Sequence, residues 1–162
     1  MLKNWSNTLL VAFSRTPKML AELDHAFNSR LKSTFGSIHL KNGVTTEQII
    51  GEMLRINYFK CKICEMREAV EAALGSMDES SRGYLTDRVL KGRTFRELAL
   101  SRGVSLRTAF RRFEAAELAL TRALRRSGYS EERMRREFGE IPQLAAVAER
   151  LEDGNYFTVR AE

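Results

Sequence analysis

The chain has little of what breaks or staples a fold. Its 162 residues include two prolines, two cysteines, two histidines and one tryptophan. So few prolines, with few β-branched runs, leave most of the sequence free to be helical. Long apolar runs are missing as well. Leu9, Leu10, Val11, Ala12 and Phe13 form a short one, which Arg15 and Pro17 end, and no small-residue cleavage site follows. Nothing approaches the roughly 18 apolar residues of a membrane span. A secretory signal and a membrane partner are therefore not expected, and the chain is expected to be cytoplasmic with reduced cysteines. There is no glycine-rich phosphate loop, no nucleophile motif, no metal-ligand cluster, no internal repeat and no low-complexity segment. Glu131, Glu132, Glu137 and Glu140 read as solvated helix charges balancing nearby arginines. The expectation is an all-α protein that is not an enzyme and uses no cofactor or metal.

What is present is unevenly placed charge. Lysine and arginine number 27 against 21 acids, for a net +6 and a pI near 9.6. Residues 88 to 136 hold fourteen basic and five acidic residues, a net +9, whereas residues 1 to 75 hold ten against seven, a net +3. Such a balance fits a polyanionic partner bound by the second half of the chain. A hydrophobic content of 43% can supply a core.

The first 75 residues read as an N-terminal helical module. Leu2, Trp5, Leu9, Ala12 and Phe13 suggest one short amphipathic helix. Thr16 and Pro17 then restart a second, since proline suits a first helical position, and Met19, Leu20, Leu23, Ala26, Phe27 and Leu31 carry it to about Thr34. Gly36 to Val44 reads as a loop. Thr45 and Gln48 stand at capping-box spacing and open a helix of about 27 residues. On it Ile49, Ile56, Ile63 and Val70 recur every seventh residue, flanked by Met53, Phe59, Met66 and Leu74. That row can seam a homodimer or pack on residues 17 to 34 of the same chain. Lys60 and Arg67 weaken the dimer seam. Cys61 and Cys64 form a CxxC in mid-helix, half of a zinc site without a second pair, and His25 and His39 have no motif spacing. Small apolar residues in a helix interface are the better reading of the two cysteines.

The second half begins near Asp78. Tyr84, Leu85, Val89 and Leu90 make a helix that Gly92 ends. Thr94 and Glu97 form another capping box, Leu98 and Ala99 face inward, and Gly103 can take the left-handed conformation that ends a helix sharply. Val104 plugs the corner and Ser105 caps the next helix. Ala109, Phe113 and Ala116 give that helix a buried stripe and leave Leu106, Arg107, Phe110, Arg111 and Arg112 on the other side. The helix runs on to about Arg126, where Gly128 ends it. Short helices around Met134 and Phe138 and over Pro142 to Leu151 complete a C-terminal segment, 129–162, whose last ten residues read as a frayed tail.

The stretch ELALSRGVSLRTAFRRFEAA resembles the helix-turn-helix in region 4 of bacterial sigma factors. Glu97, Leu98, Ala99, Gly103, Val104, Ser105, Thr108, Ala109, Arg112, Phe113 and Ala116 match the pattern place for place. The likeness covers about residues 76 to 127 and is shared with phage-encoded activators of the ArpU/RinA type. It implies a helix-turn-helix (winged-helix-like) module over 76–128 whose second helix enters the DNA major groove. It places Ser105, Leu106, Arg107, Phe110 and Arg111 at base edges, with Arg93, Thr94, Arg96, Arg102, Thr108 and Arg112 on phosphates. Gly103 makes the turn. Double-stranded DNA is the expected partner and RNA polymerase a second one. No counterpart of the sigma segment that melts the −10 element is visible. The expected function is a sequence-specific transcription regulator. The alternative is an adaptor that uses the same fold to hold RNA polymerase or another regulator.

Overall fold

The computed structural model describes residues 4–36, 43 and 45–153, with only the backbone for 34–36. Leu2, Val44, residues 37–42 of the expected loop (His39 among them) and the tail beyond 153 lie outside the described residues. The described residues form seven α-helices and no strand: α1 (Trp5–Gly36), α2 (Thr46–Gly75), α3 (Glu79–Leu85), α4 (Phe95–Ser101), α5 (Leu106–Arg126), α6 (Glu131–Phe138) and α7 (Pro142–Glu152). A π-helical turn, Thr86–Leu90, extends α3. The all-helical class follows the paucity of proline and the helical spacing of apolar residues.

One expectation fails at the start. Residues 5 to 36 are a single helix, not two, and Pro17 lies inside it. A proline there removes one N–H and crowds the Phe13 carbonyl, a cost of about 3 kcal/mol in a helix interior. Burial on both sides outweighs it. Leu9, Leu10, Val11 and Ala12 are at most 3% exposed, and Met19 and Leu23 are 5% exposed. Hydroxyls serve carbonyls of the same turn, with Ser14 Oγ donating to the Val11 oxygen at 2.6 Å and Thr16 Oγ1 to that of Ala12 at 3.3 Å.

α2 starts where the capping box placed it. Thr45 Oγ1 accepts from the Gln48 N–H, and the Gln48 side chain accepts from the Thr45 N–H. Along the seven-residue row Ile49, Ile63 and Val70 are buried and Ile56 half-buried, with α1 running alongside. Ile63, Val70 and Ile56 pack on the core within the chain. Arg30–Glu52 at 2.7 Å and Lys60–Asp24 tie the outer parts of the two helices. These pairs are largely solvated and hold register more than they stabilise.

α1 is the axis of the fold. It packs on α2, α5, α6, α7 and the π turn, and one buried cluster runs from Leu9 through Ile63, Leu85 and Leu120 to Val147. Buried residues before and after Gly75 therefore belong to one cluster. Two polar contacts fix α1 within it. The Trp5 N–H donates to both oxygens of Glu131, at 3.0 and 3.1 Å, which places a carboxylate on the positive end of the α1 dipole. Asn7 Nδ2 donates to Glu117 Oε1 at 2.9 Å, both residues fully buried.

Pro17 is exposed, so its replacement by alanine should return the missing N–H without disturbing the core. Pro17→Ala is expected to raise stability by about 1–3 kcal/mol. Thermal and urea unfolding read it directly. A melting temperature at or below that of the parent would mean that α1 needs the proline turn.

Candidate nucleic-acid interface

The corner between α4 and α5 is built by short-range chemistry. Thr94 caps α4: its Oγ1 accepts from the Glu97 N–H, and Glu97 Oε2 accepts from the Thr94 N–H at 2.6 Å. That backbone contact holds the Glu97 carboxyl below its usual range. α4 ends at Gly103, whose φ of 60° only glycine adopts without strain. The Val104 N–H then reaches the Ala99 carbonyl at 3.0 Å and the Gly103 N–H that of Leu100 at 3.3 Å, which uses carbonyls the helix end leaves free. Val104 packs on the core, and Ser105 Oγ accepts from the Thr108 N–H to start α5. Ala109, Phe113 and Ala116 are buried, as their spacing predicts.

Beneath the corner lies a group that sequence reading did not single out. Asp87, on the π turn, has a side chain only 12% exposed and gathers three cations: Arg102 at 2.9 Å, Lys91 at 3.0 Å and Arg93 at 3.7 Å. Burial alone would push its carboxyl up. The hydrogen bonds from Lys91 and Arg102 outweigh burial and hold it below the ordinary range. The Arg102 guanidinium also lies 4.1 Å from the Tyr84 ring centroid. A Cβ on Gly83 would stand 3.0 Å from an Arg102 nitrogen, so glycine makes the space. Nearby, Arg88 donates to the Arg93 carbonyl at 3.0 Å and lies over the Phe95 ring at 4.8 Å. The Lys91 spacing, i+4 from Asp87, was visible in the sequence. The Arg102 partner, fifteen residues away, was not.

The eleven expected contact residues separate into five groups. Arg107, Arg111 and Arg112 on α5 and Arg96 on α4 are exposed, and no carboxylate among the described residues pairs with them. Leu106 and Phe110 are 43% and 44% exposed, and the Phe110 ring lies 3.9 Å from that of Phe95, centroid to centroid. Ser105, Thr94 and half-buried Thr108 spend hydroxyl capacity on caps, Ser105 Oγ and Thr108 Oγ1 being 2.9 Å apart. Arg93 is 44% exposed and shared with Asp87. Arg102 is turned inward. Its guanidinium is committed to Asp87 and Tyr84, so it braces the corner rather than standing beside the free arginines.

The arrangement presents a rigid cationic helix end flanked by two apolar side chains. It contains no nucleophile–base pair. Cys61 is exposed and Cys64 half-buried, so only Cys64 suits the helix-interface reading, and no group of three metal-ligating side chains occurs among the described residues. None of the described helices is long and apolar enough to cross a membrane. No family model, curated protein or solved structure matches the chain.

Asp87→Asn removes the charge on which three cations converge, and is expected to cost about 3 kcal/mol at pH 7. Because the folded carboxyl is held low, its contribution is present above the unfolded value near 3.9 and is lost as pH falls through the folded value. The gap between parent and variant should therefore close below about pH 4. Urea titrations at pH 7 and at pH 3 measure it, and a gap equal at both would contradict the electrostatic role. At Gly103 a side chain meets no atom within 4 Å, so the cost of substitution lies in the backbone alone. Gly103→Val should lose on the order of 1–2 kcal/mol, Gly103→Ala somewhat less. Equal stability of parent and both variants would argue against a left-handed turn.

Proposed function

We propose that the chain is a sequence-specific DNA-binding transcription regulator, and that α4 and α5 work as a helix-turn-helix of the sigma region 4 kind. The observation that carries this reading is the set of unpaired arginines at the start of α5, next to a braced turn. Arg107 and Arg111 stand one turn apart on one face, where a guanidinium can grip guanine O6 and N7. Arg96 and Arg112, also exposed, are available to phosphates, and Leu106 and Phe110 offer apolar surface to thymine methyl groups. A net +9 on residues 88 to 136 is what a counterion-releasing surface needs.

A second reading, an adaptor that holds RNA polymerase or another regulator, is favoured by Leu100, 82% exposed, beside exposed Leu106 and Phe110. An adaptor would draw on apolar contact and tolerate both salt and loss of arginine. Fragments selected from genomic DNA by the purified chain supply the site for the decisive assay. On it, Arg107→Ala and Arg111→Ala are each expected to cost about 1–3 kcal/mol and to relax preference at one base position. Arg96→Ala should weaken all sequences alike and lower the salt slope by about one. Equal losses on specific and random duplexes for all three variants would remove the base-reading role. Absence of any selected sequence, with RNA polymerase retained on the chain in high salt, would favour the adaptor.

A further inference from the structure

α5 is longer than the corner needs. Its last two turns carry Arg122, Arg125 and Arg126, all exposed, and no carboxylate among the described residues pairs with them. They edge a groove of about 570 Å³ that is closed on its other side by Ser76, Met77 and Asp78, the link between α2 and α3. Met77, 8% exposed, and half-buried Ala119 give it an apolar floor, and Leu118, outside this lining but one turn before Arg122, stands 45% exposed. The one acid in the lining, Asp78, caps α3 by accepting from the Ser81 N–H at 2.8 Å, which leaves three cations against one carboxylate. Cations do favour a helix C-terminus, which accounts for Arg125 and Arg126 on dipole grounds. It accounts neither for Arg122, a turn earlier, nor for the apolar floor.

Distance separates this groove from the corner. At 1.5 Å per residue, Arg122 lies about 16 Å and Arg125 about 21 Å along α5 from Arg111. A phosphate backbone would find no use for Leu118 and Met77. We infer that this groove is a docking site for an acidic amphipathic helix of a partner protein, its carboxylates on Arg122, Arg125 and Arg126 and its apolar side chains on Leu118 and Met77. Carboxylates three and four residues apart on such a helix match guanidiniums three and four apart on α5. The inference does not rest on the DNA reading.

The probe is a fluorescent twelve-residue helical peptide of glutamate and leucine with its acids on one face, titrated into the full chain and followed by anisotropy. A lysine–leucine peptide of the same pattern is the control. The acidic peptide should bind, and Arg122→Glu with Arg125→Glu should weaken it at least tenfold. Leu118→Ser, which leaves every charge in place, should weaken it at least threefold, and Arg111→Ala should leave it unchanged. Circular dichroism melts of each variant confirm that the fold is kept, and Arg122→Gln with Arg125→Gln serves if the charge reversal destabilises it. Equal binding of both peptides, no binding of the acidic one, or binding that survives the arginine pair would overturn the proposal. So would a tenfold loss of duplex affinity in the arginine pair with a reduced salt slope, which would give the groove to DNA.

Discussion

The free arginines can stay free only because one carboxylate takes the others. The positive stretch from Arg88 to Arg136 would repel itself if every cation faced solvent on one side. Asp87 draws Lys91, Arg93 and Arg102 towards one point beneath the corner, and that point joins the π turn, the entry to α4 and the end of α4. A buried carboxylate with one partner would be a doubtful bargain, since desolvation can exceed the attraction. With three cations around it the carboxyl stays ionised, and the segment 86–102 is held without a large apolar core of its own. Between Arg93 and Arg126, the arginines that remain outside this knot are those on α5 and at Arg96.

The corner is also tied to the rest of the molecule through α1. Glu117 lies on the α5 side facing away from the free arginines, fully buried, and accepts from Asn7 at 2.9 Å. An ion or amide in such a place costs free energy unless it is matched, and a shifted register would leave both groups unmatched. The contact therefore sets how far along α1 the α5 helix sits. Trp5, two residues earlier on α1, does the same for the start of α6 through Glu131. This explains why a chain that reads as an N-terminal module followed by a second module has one continuous core.

Local grammar was legible and long-range pairing was not. The boxes at Thr45 and Thr94, the cap at Ser105, and the glycines at 103 and 128 all act within five residues, so spacing alone locates them. The buried stripe of α5 follows for the same reason. Pro17 misled because its local preference, a helix start, was outweighed by burial on both sides, a property of the assembled core. Arg102 misled because its exposure is decided by Asp87 and Tyr84, which lie fifteen and eighteen residues earlier in the chain. Of the arginines placed at the interface by resemblance, those on α5 keep solvent-facing positions. Those around the turn are divided between solvent and the knot at Asp87.

A single rigid helix carries both cationic surfaces, and this limits how they can influence each other. α5 is anchored through Ala109, Phe113, Ala116, Leu120 and Leu124, all at most 3% exposed, so bending it would open the core. Coupling by a change of shape would need a two-state element, and α5 between Ala109 and Leu124 offers none. Direct electrostatic coupling is left. Arg111 and Arg122 are about 16 Å apart, twice the screening length of about 8 Å at physiological ionic strength. An anion neutralising one end therefore changes the potential at the other only slightly. On the two proposals made above, the helix would act as a spacer between two independent binding surfaces at a set distance. Occupancy of one should leave the affinity of the other nearly unaltered, except at low salt, where the screening length grows past the spacing.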